Sequence, residues 1–145
     1  MTFYIAQSAE ARHFGVEAAV VFDIETTDDE APSGVSLDME GTSLRFARRG
    51  VYRFDFFASL IPYTDPESFL VRFESPSFPA ALQESFAATR VEAPLVRGKC
   101  ALQVSTILPL EKGQVLSVKI HSADKFILED GARLLVTGLK EKGRS

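Results

Sequence analysis

The sequence predicts an antiparallel all-β sandwich or barrel, and three observations carry that prediction. Apolar residues recur at every second position through most of the chain, which is the spacing of half-buried strands. Turn-forming pairs such as Arg49-Gly50, Lys112-Gly113 and Asp130-Gly131 interrupt those runs at short intervals. The composition, 46% apolar and 25% charged over 145 residues, is that of a globular chain with core enough for one domain spanning 1–145.

Taken in order, residues 1–15 read as an N-terminal arm. Val16, Ala18, Val20, Phe22 and Ile24 then alternate with Glu17 and Asp23 as a first strand. An acidic turn region follows, from Asp28 to Gly34. Leu44 and Phe46 lead to Gly50, expected to turn with positive φ before a long central strand. On that strand Tyr52, Phe54 and Phe56 share one side, and Arg53, Asp55 and Phe57 share the other. Phe69, Val71 and Phe73 repeat the alternation, as do Leu102, Val104, Leu108 and Leu110, and then Leu116, Val118 and Ile120. Lys112-Gly113 makes the tight reversal between the last two. Residues 80–90 stay open: Leu82 and Phe86 are four apart in an Ala-rich stretch, which fits a short helix. Residues 51–61 are richer in apolar residues and 133–139 are nearly continuous Leu and Val, as in strands covered on both faces. The tail 141–145 is expected to fray.

Charge and motif content exclude several functions. Sixteen Lys+Arg against twenty Asp+Glu give a net charge of -4, the wrong sign for a dedicated nucleic-acid binder. A single cysteine, Cys100, rules out an intrachain disulfide and a Cys-based zinc site. The two histidines, His13 and His121, pair with no nucleophile motif, so no catalytic centre is expected. Cys100 reads as a small buried thiol. No glycine-rich phosphate loop is present, and no cofactor is expected. Asp28, Asp29 and Glu30 are candidate oxygen ligands for calcium, against the simpler reading of a solvated acidic loop. Arg45, Arg48 and Arg49 form a candidate anion-binding corner, against the reading of an exposed basic turn. No apolar run reaches the ~20 residues of a membrane helix, so no membrane insertion is expected. Met1–Ala6 lacks the basic start of an export signal.

Three ordered segments resemble the tumour necrosis factor/complement C1q superfamily. They are Ala19-Val20-Val21-Phe22-Asp23, then Leu44-x-Phe46-x-x-x-Gly50-x-Tyr52-x-Phe54, then Leu108-x-Leu110-Glu111-Lys112-Gly113-Gln114 continuing to Val118. Leu134 to Leu139, with Gly138, is similar to the last strand of that fold, and the match spans about residues 16–140. Gln114 stands where the family has Asp, and Val136-Thr137 where an aromatic is common. The resemblance implies a jelly-roll sandwich of roughly eight to ten strands with its termini close together on the inner sheet. Its core motif is then Phe46, Gly50, Tyr52, Phe54, Leu110, Gly113 and Gly138. It further implies a compact homotrimer closed by the outer side of the inner sheet, with Arg53, Asp55, Phe57, Gln103 and Val136 in the interface. The implied function is a non-catalytic, trimeric binding or structural module that presents loops to a protein or glycan partner. A cell-surface, particle-surface or extracellular setting goes with it. Two alternatives stand beside it: a receptor ligand of the tumour necrosis factor type, and a sugar- or anion-binding jelly roll using Arg45, Arg48 and Arg49.

Overall fold

A computed structural model describes residues 3–8, 12–14, 17–27, 34–62, 69–75, 88–91, 99–121 and 126–139, in which thirteen strands and no helix are found. One sheet holds β1 (Phe3–Gln7), β2 (Arg12–Phe14), β4 (Ile24–Thr27), β7 (Gly50–Pro62), β10 (Cys100–Leu110), β12 (Phe126–Leu128) and β13 (Arg133–Leu139). The other holds β3 (Glu17–Ala19), β5 (Val35–Leu37), β6 (Leu44–Phe46), β8 (Phe69–Glu74), β9 (Ala88–Val91) and β11 (Val115–His121). Each ladder is antiparallel. β12 and β13 follow one another along one flank of β7, with β2 and β1 alongside them, and β3 and β6 share a flank of β11. The first sheet therefore runs β10, β7, β13/β12, β1/β2, β4, and the second runs β5, β6/β3, β11, β8, β9. We call them the inner and outer sheets.

Alternation puts one side of each sheet into a shared core. Tyr52, Phe54 and Phe56 of β7 face Phe46 of β6 and Phe73 of β8, all buried. The Phe46 ring lies 4.9 Å from Tyr52 and 5.9 Å from Phe54 in edge-to-face contact, and Phe54 lies 5.8 Å from Phe73. Phe69 meets Phe126 edge-on at 6.3 Å between the same two sheets. Such pairs add about 0.5–1.5 kcal/mol each beyond the area they bury. Leu110 and Cys100 close the core at the two ends of β10.

Four expectations need correction. Within the span read as an arm, Phe3–Gln7 form β1 inside the inner sheet, with Phe3 opposite Thr137 of β13 and Tyr4 opposite Thr27 of β4. That pairing also brings the two ends of the described chain together. The alternating run from Val16 to Ile24 is not one strand. Residues 17–19 pair with β11 in the outer sheet, 20–23 cross the sandwich, and Ile24 begins an inner-sheet strand. Alternation survives the crossing because Val20 and Phe22 enter the one core that both sheets share. Of the segment 80–90, residues 88–90 belong to β9 and pair with β8, while 80–87 lie outside the described residues, as does the tail 141–145. Gly50 is not a positive-φ residue; it is already in β7, opposite Leu110.

The demanding glycine is Gly41, in the turn between β5 and β6. Its φ is +77°, and a Cβ there would fall 2.3 Å from the Phe22 carbonyl oxygen. The β10–β11 reversal turns at Gly113, with φ +82°, whose N–H donates to the Phe46 carbonyl at 2.6 Å. Gln114 makes use of the length it has over Asp. Its Oε1 accepts from the Glu111 N–H at 2.9 Å while its Nε2 donates to Ser75 Oγ at 3.1 Å. On the far side of the sandwich, the Tyr4 hydroxyl and the Leu37 N–H both donate to Glu25 Oε1 at 2.7 Å. Glu25 thus clasps edge strand β4 of the inner sheet to edge strand β5 of the outer one.

Candidate interaction face on the inner sheet

Residues directly opposite one another in an antiparallel ladder point to the same side of a sheet. The registers therefore define the outer side of the inner sheet row by row. One row runs Ile24, Gln7, Arg133, Phe57, Gln103; the next runs Thr26, Ile5, Leu135, Asp55, Ser105; a third joins Thr137, Arg53 and Ile107. Arg53, Asp55, Phe57 and Gln103 thus share this face. Val136 does not. It pairs opposite Phe54 and is 1% exposed, so it belongs to the core, and Leu135 takes the outward position beside Asp55. Leu135 was hidden because Leu134-Leu135-Val136 is apolar on both phases of the alternation, so pattern alone does not choose the phase.

The centre of the face is a buried charge. Asp55 is 8% exposed although it points away from the core. It accepts a hydrogen bond from Ser105 Oγ, and the Arg53 Nε straddles its carboxylate at 3.3 and 3.2 Å. Charge-assisted bonds of this kind are what a desolvated carboxylate needs. Around it the face mixes polar side chains with five apolar ones. Phe57, Leu135 and Ile5 are half-buried, and Ile107 and Ile24 stand 56% and 45% exposed. The Arg133 guanidinium covers the Phe57 ring at 5.1 Å from its centroid. Ser105 and Ile107 were legible in principle, since they continue the period of two that starts at Gln103.

The other candidate residues do not converge. His13 lies on β2 opposite Ile127, and His121 ends β11 opposite Leu70. Cys100 is fully buried opposite Leu60, an inert position for a thiol. Arg45 projects from β6 on the solvent side of the outer sheet. Arg48 lies beside Gly34, and Arg49 is engaged by Glu111 at 3.5 Å. Asp28, Asp29 and Glu30 lie outside the described residues. Among the described residues no group of three or more His, Cys, Asp or Glu side chains is placed to hold a metal ion. No helix among them is long and apolar enough to cross a membrane.

No protein-family model and no curated protein sequence matches the chain. Solved structures do. Murine APRIL is similar over 95% of this chain and 98% of its own, with a TM-score of 0.61 at 13% identity. The Eiger TNF from S. frugiperda is similar over 100% of this chain and 97% of its own, with a TM-score of 0.62 at 12% identity. The globular domain of the zebrafish complement 1qA protein is similar over 98% of this chain and 100% of its own, with a TM-score of 0.60 at 16% identity. Two antiparallel sheets and end-to-end coverage of such structures agree: the chain has the jelly-roll fold common to tumour necrosis factor ligands and the C1q globular head.

Proposed function

We propose that the protein is a non-catalytic homotrimeric module of the TNF/C1q type, closed on the outer side of its inner sheet and displaying loops to a protein or glycan partner. One observation carries this reading: a buried, paired carboxylate on the outer side of the inner sheet, with large apolar side chains placed around it. A sheet side meant for water offers alternating polar residues, as β11 does with Ser117 and Lys119. The inner sheet sets Ile24, Ile5, Leu135, Phe57 and Ile107 among the polar residues of its outer side, and that many large apolar side chains on one sheet side favour an interface. Arg53 and Asp55 neutralise each other within one chain, so that pair can be covered without stranding either charge.

The receptor-ligand alternative shares this assembly and differs only in the partner. The anion-binding alternative has less support, because Arg49 already has a carboxylate partner. Light scattering on the purified protein tests the trimer. The expected mass is three times that of one chain, stable on dilution to micromolar concentration. A single-chain mass at that concentration would overturn the reading.

A further inference from the structure

Three large hydrophobic side chains stand exposed among the described residues: Ile24, Ile107 and Met39. The first two belong to the inner-sheet face. Met39 does not. It sits at the tip of the β5–β6 hairpin of the outer sheet, with its whole side chain in solvent at 105% relative exposure.

The turn that carries it is tightly held. The Asp38 N–H donates to the Ser43 carbonyl at 2.9 Å, and the Gly41 N–H to the Asp38 carbonyl at 3.2 Å. Asp38 Oδ1 accepts from the Thr42 and Ser43 N–H groups at 3.0 and 3.4 Å. The Phe22 N–H donates to the Gly41 carbonyl at 2.8 Å, and the missing Cβ of Gly41 lets the two backbones close. A turn fixed from both sides therefore presents a thioether to water, between the exposed carboxylates of Asp38 and Glu40. Exposing that side chain does nothing for folding. Holding its backbone still lowers the ordering cost of an encounter, and a flexible, polarizable methionine adapts to pockets of varied shape.

We propose that the β5–β6 turn is a docking knob: Met39 enters an apolar pocket on a protein partner, and Asp38 and Glu40 meet Lys or Arg on the pocket's rim. The flanking charges select the partner's sign, since like-charged rims are rejected. The proposal rests on the reading of the protein as a loop-displaying module, but its test reads the turn alone and leaves the trimer reading untouched either way.

The probe is a β-cyclodextrin bearing an amino group at each rim position, an apolar cavity with a cationic rim; the neutral cyclodextrin is the control. The chain has two methionines, Met1 and Met39, so methyl-labelled methionine reports the site with little overlap. The Met39 methyl resonance is expected to shift saturably with the amino host. Binding should be about threefold weaker with the neutral host or in Glu40→Gln, the size expected of an exposed ion pair. In Met39→Ser the amino host should no longer shift the amides of residues 38–42, which in the native protein should be as rigid as those of β6. An unshifted methyl, equal affinity for the two hosts, or a turn more mobile than its strands would each overturn the proposal.

Discussion

Replacing Asp55 with Ala leaves the Arg53 guanidinium without its carboxylate and Ser105 without its acceptor. Arg53 is 54% exposed at its side chain and stays in water, so the loss is that of two hydrogen bonds to a charged group, about 1.5–3 kcal/mol each. Ser105→Ala removes one hydrogen bond to a charged group and should cost about 1.5–3 kcal/mol. Urea denaturation of the two variants should therefore rank Asp55→Ala as the more damaging. Equal midpoints would mean that Asp55 is a solvated surface residue. Glu74 gives a second test. Burial pushes its carboxyl up, but the hydrogen bond and charge of Lys119 at 2.9 Å, then Arg72 at 3.4 Å, outweigh burial and hold it below the usual glutamate range. A carboxyl depressed in the folded state binds its proton more readily when unfolded. Its contribution is thus complete above the ordinary glutamate value of 4.5 and is lost as pH falls through the lower folded value. The melting temperature of Glu74→Gln should fall less steeply than that of the native protein over that acid range. Parallel curves would assign the acid sensitivity to other groups.

Strands and turns carry the next set of consequences. Gly41 and Gly113 both have positive φ, yet a side chain at Gly113 meets nothing within 4 Å, whereas one at Gly41 strikes the Phe22 carbonyl. Gly113→Ala should cost about 1–2 kcal/mol, the backbone term alone. Gly41→Ala should cost clearly more, read from the same denaturation curves, and equal costs would show that the Phe22 backbone yields freely. Glu25→Ala leaves the Tyr4 hydroxyl and the Leu37 N–H without their acceptor, at about 1–3 kcal/mol. The effect should appear as faster amide exchange in β4 and β5, while β7 and β10 keep their protection. These elements also show how far a sequence can be read. β8, β10 and β11 have one polar side, so alternation reveals them. The crossing at 20–23 keeps the same alternation while changing sheets, and nothing in its residue types marks the switch. The outward side of β7 was legible because Arg53 and Asp55 alternate with the core aromatics Tyr52, Phe54 and Phe56. On β13 the apolar run hid the phase, and Val136 was placed outward in consequence.

For the whole molecule, the fold explains why two strands look covered on both sides. β7 is flanked by β10 over its length and by β13 and β12 in succession, so it sits in the sheet interior with the core behind it. Its other side carries Arg53, Asp55 and Phe57, which together with Leu135 and Ile107 make the surface that a homotrimer would close. Sedimentation of Phe57→Asp at micromolar concentration, beside the native protein and an outer-sheet control, Arg45→Ala, tests that claim most directly. Phe57→Asp removes the ring that Arg133 covers and sets a carboxylate beside Leu135 that a closed interface would desolvate, so it should sediment as monomer or aggregate while the native protein and Arg45→Ala remain trimers. A Phe57→Asp protein that is still trimeric, with an unchanged melting temperature, would show that the inner-sheet face is not the interface.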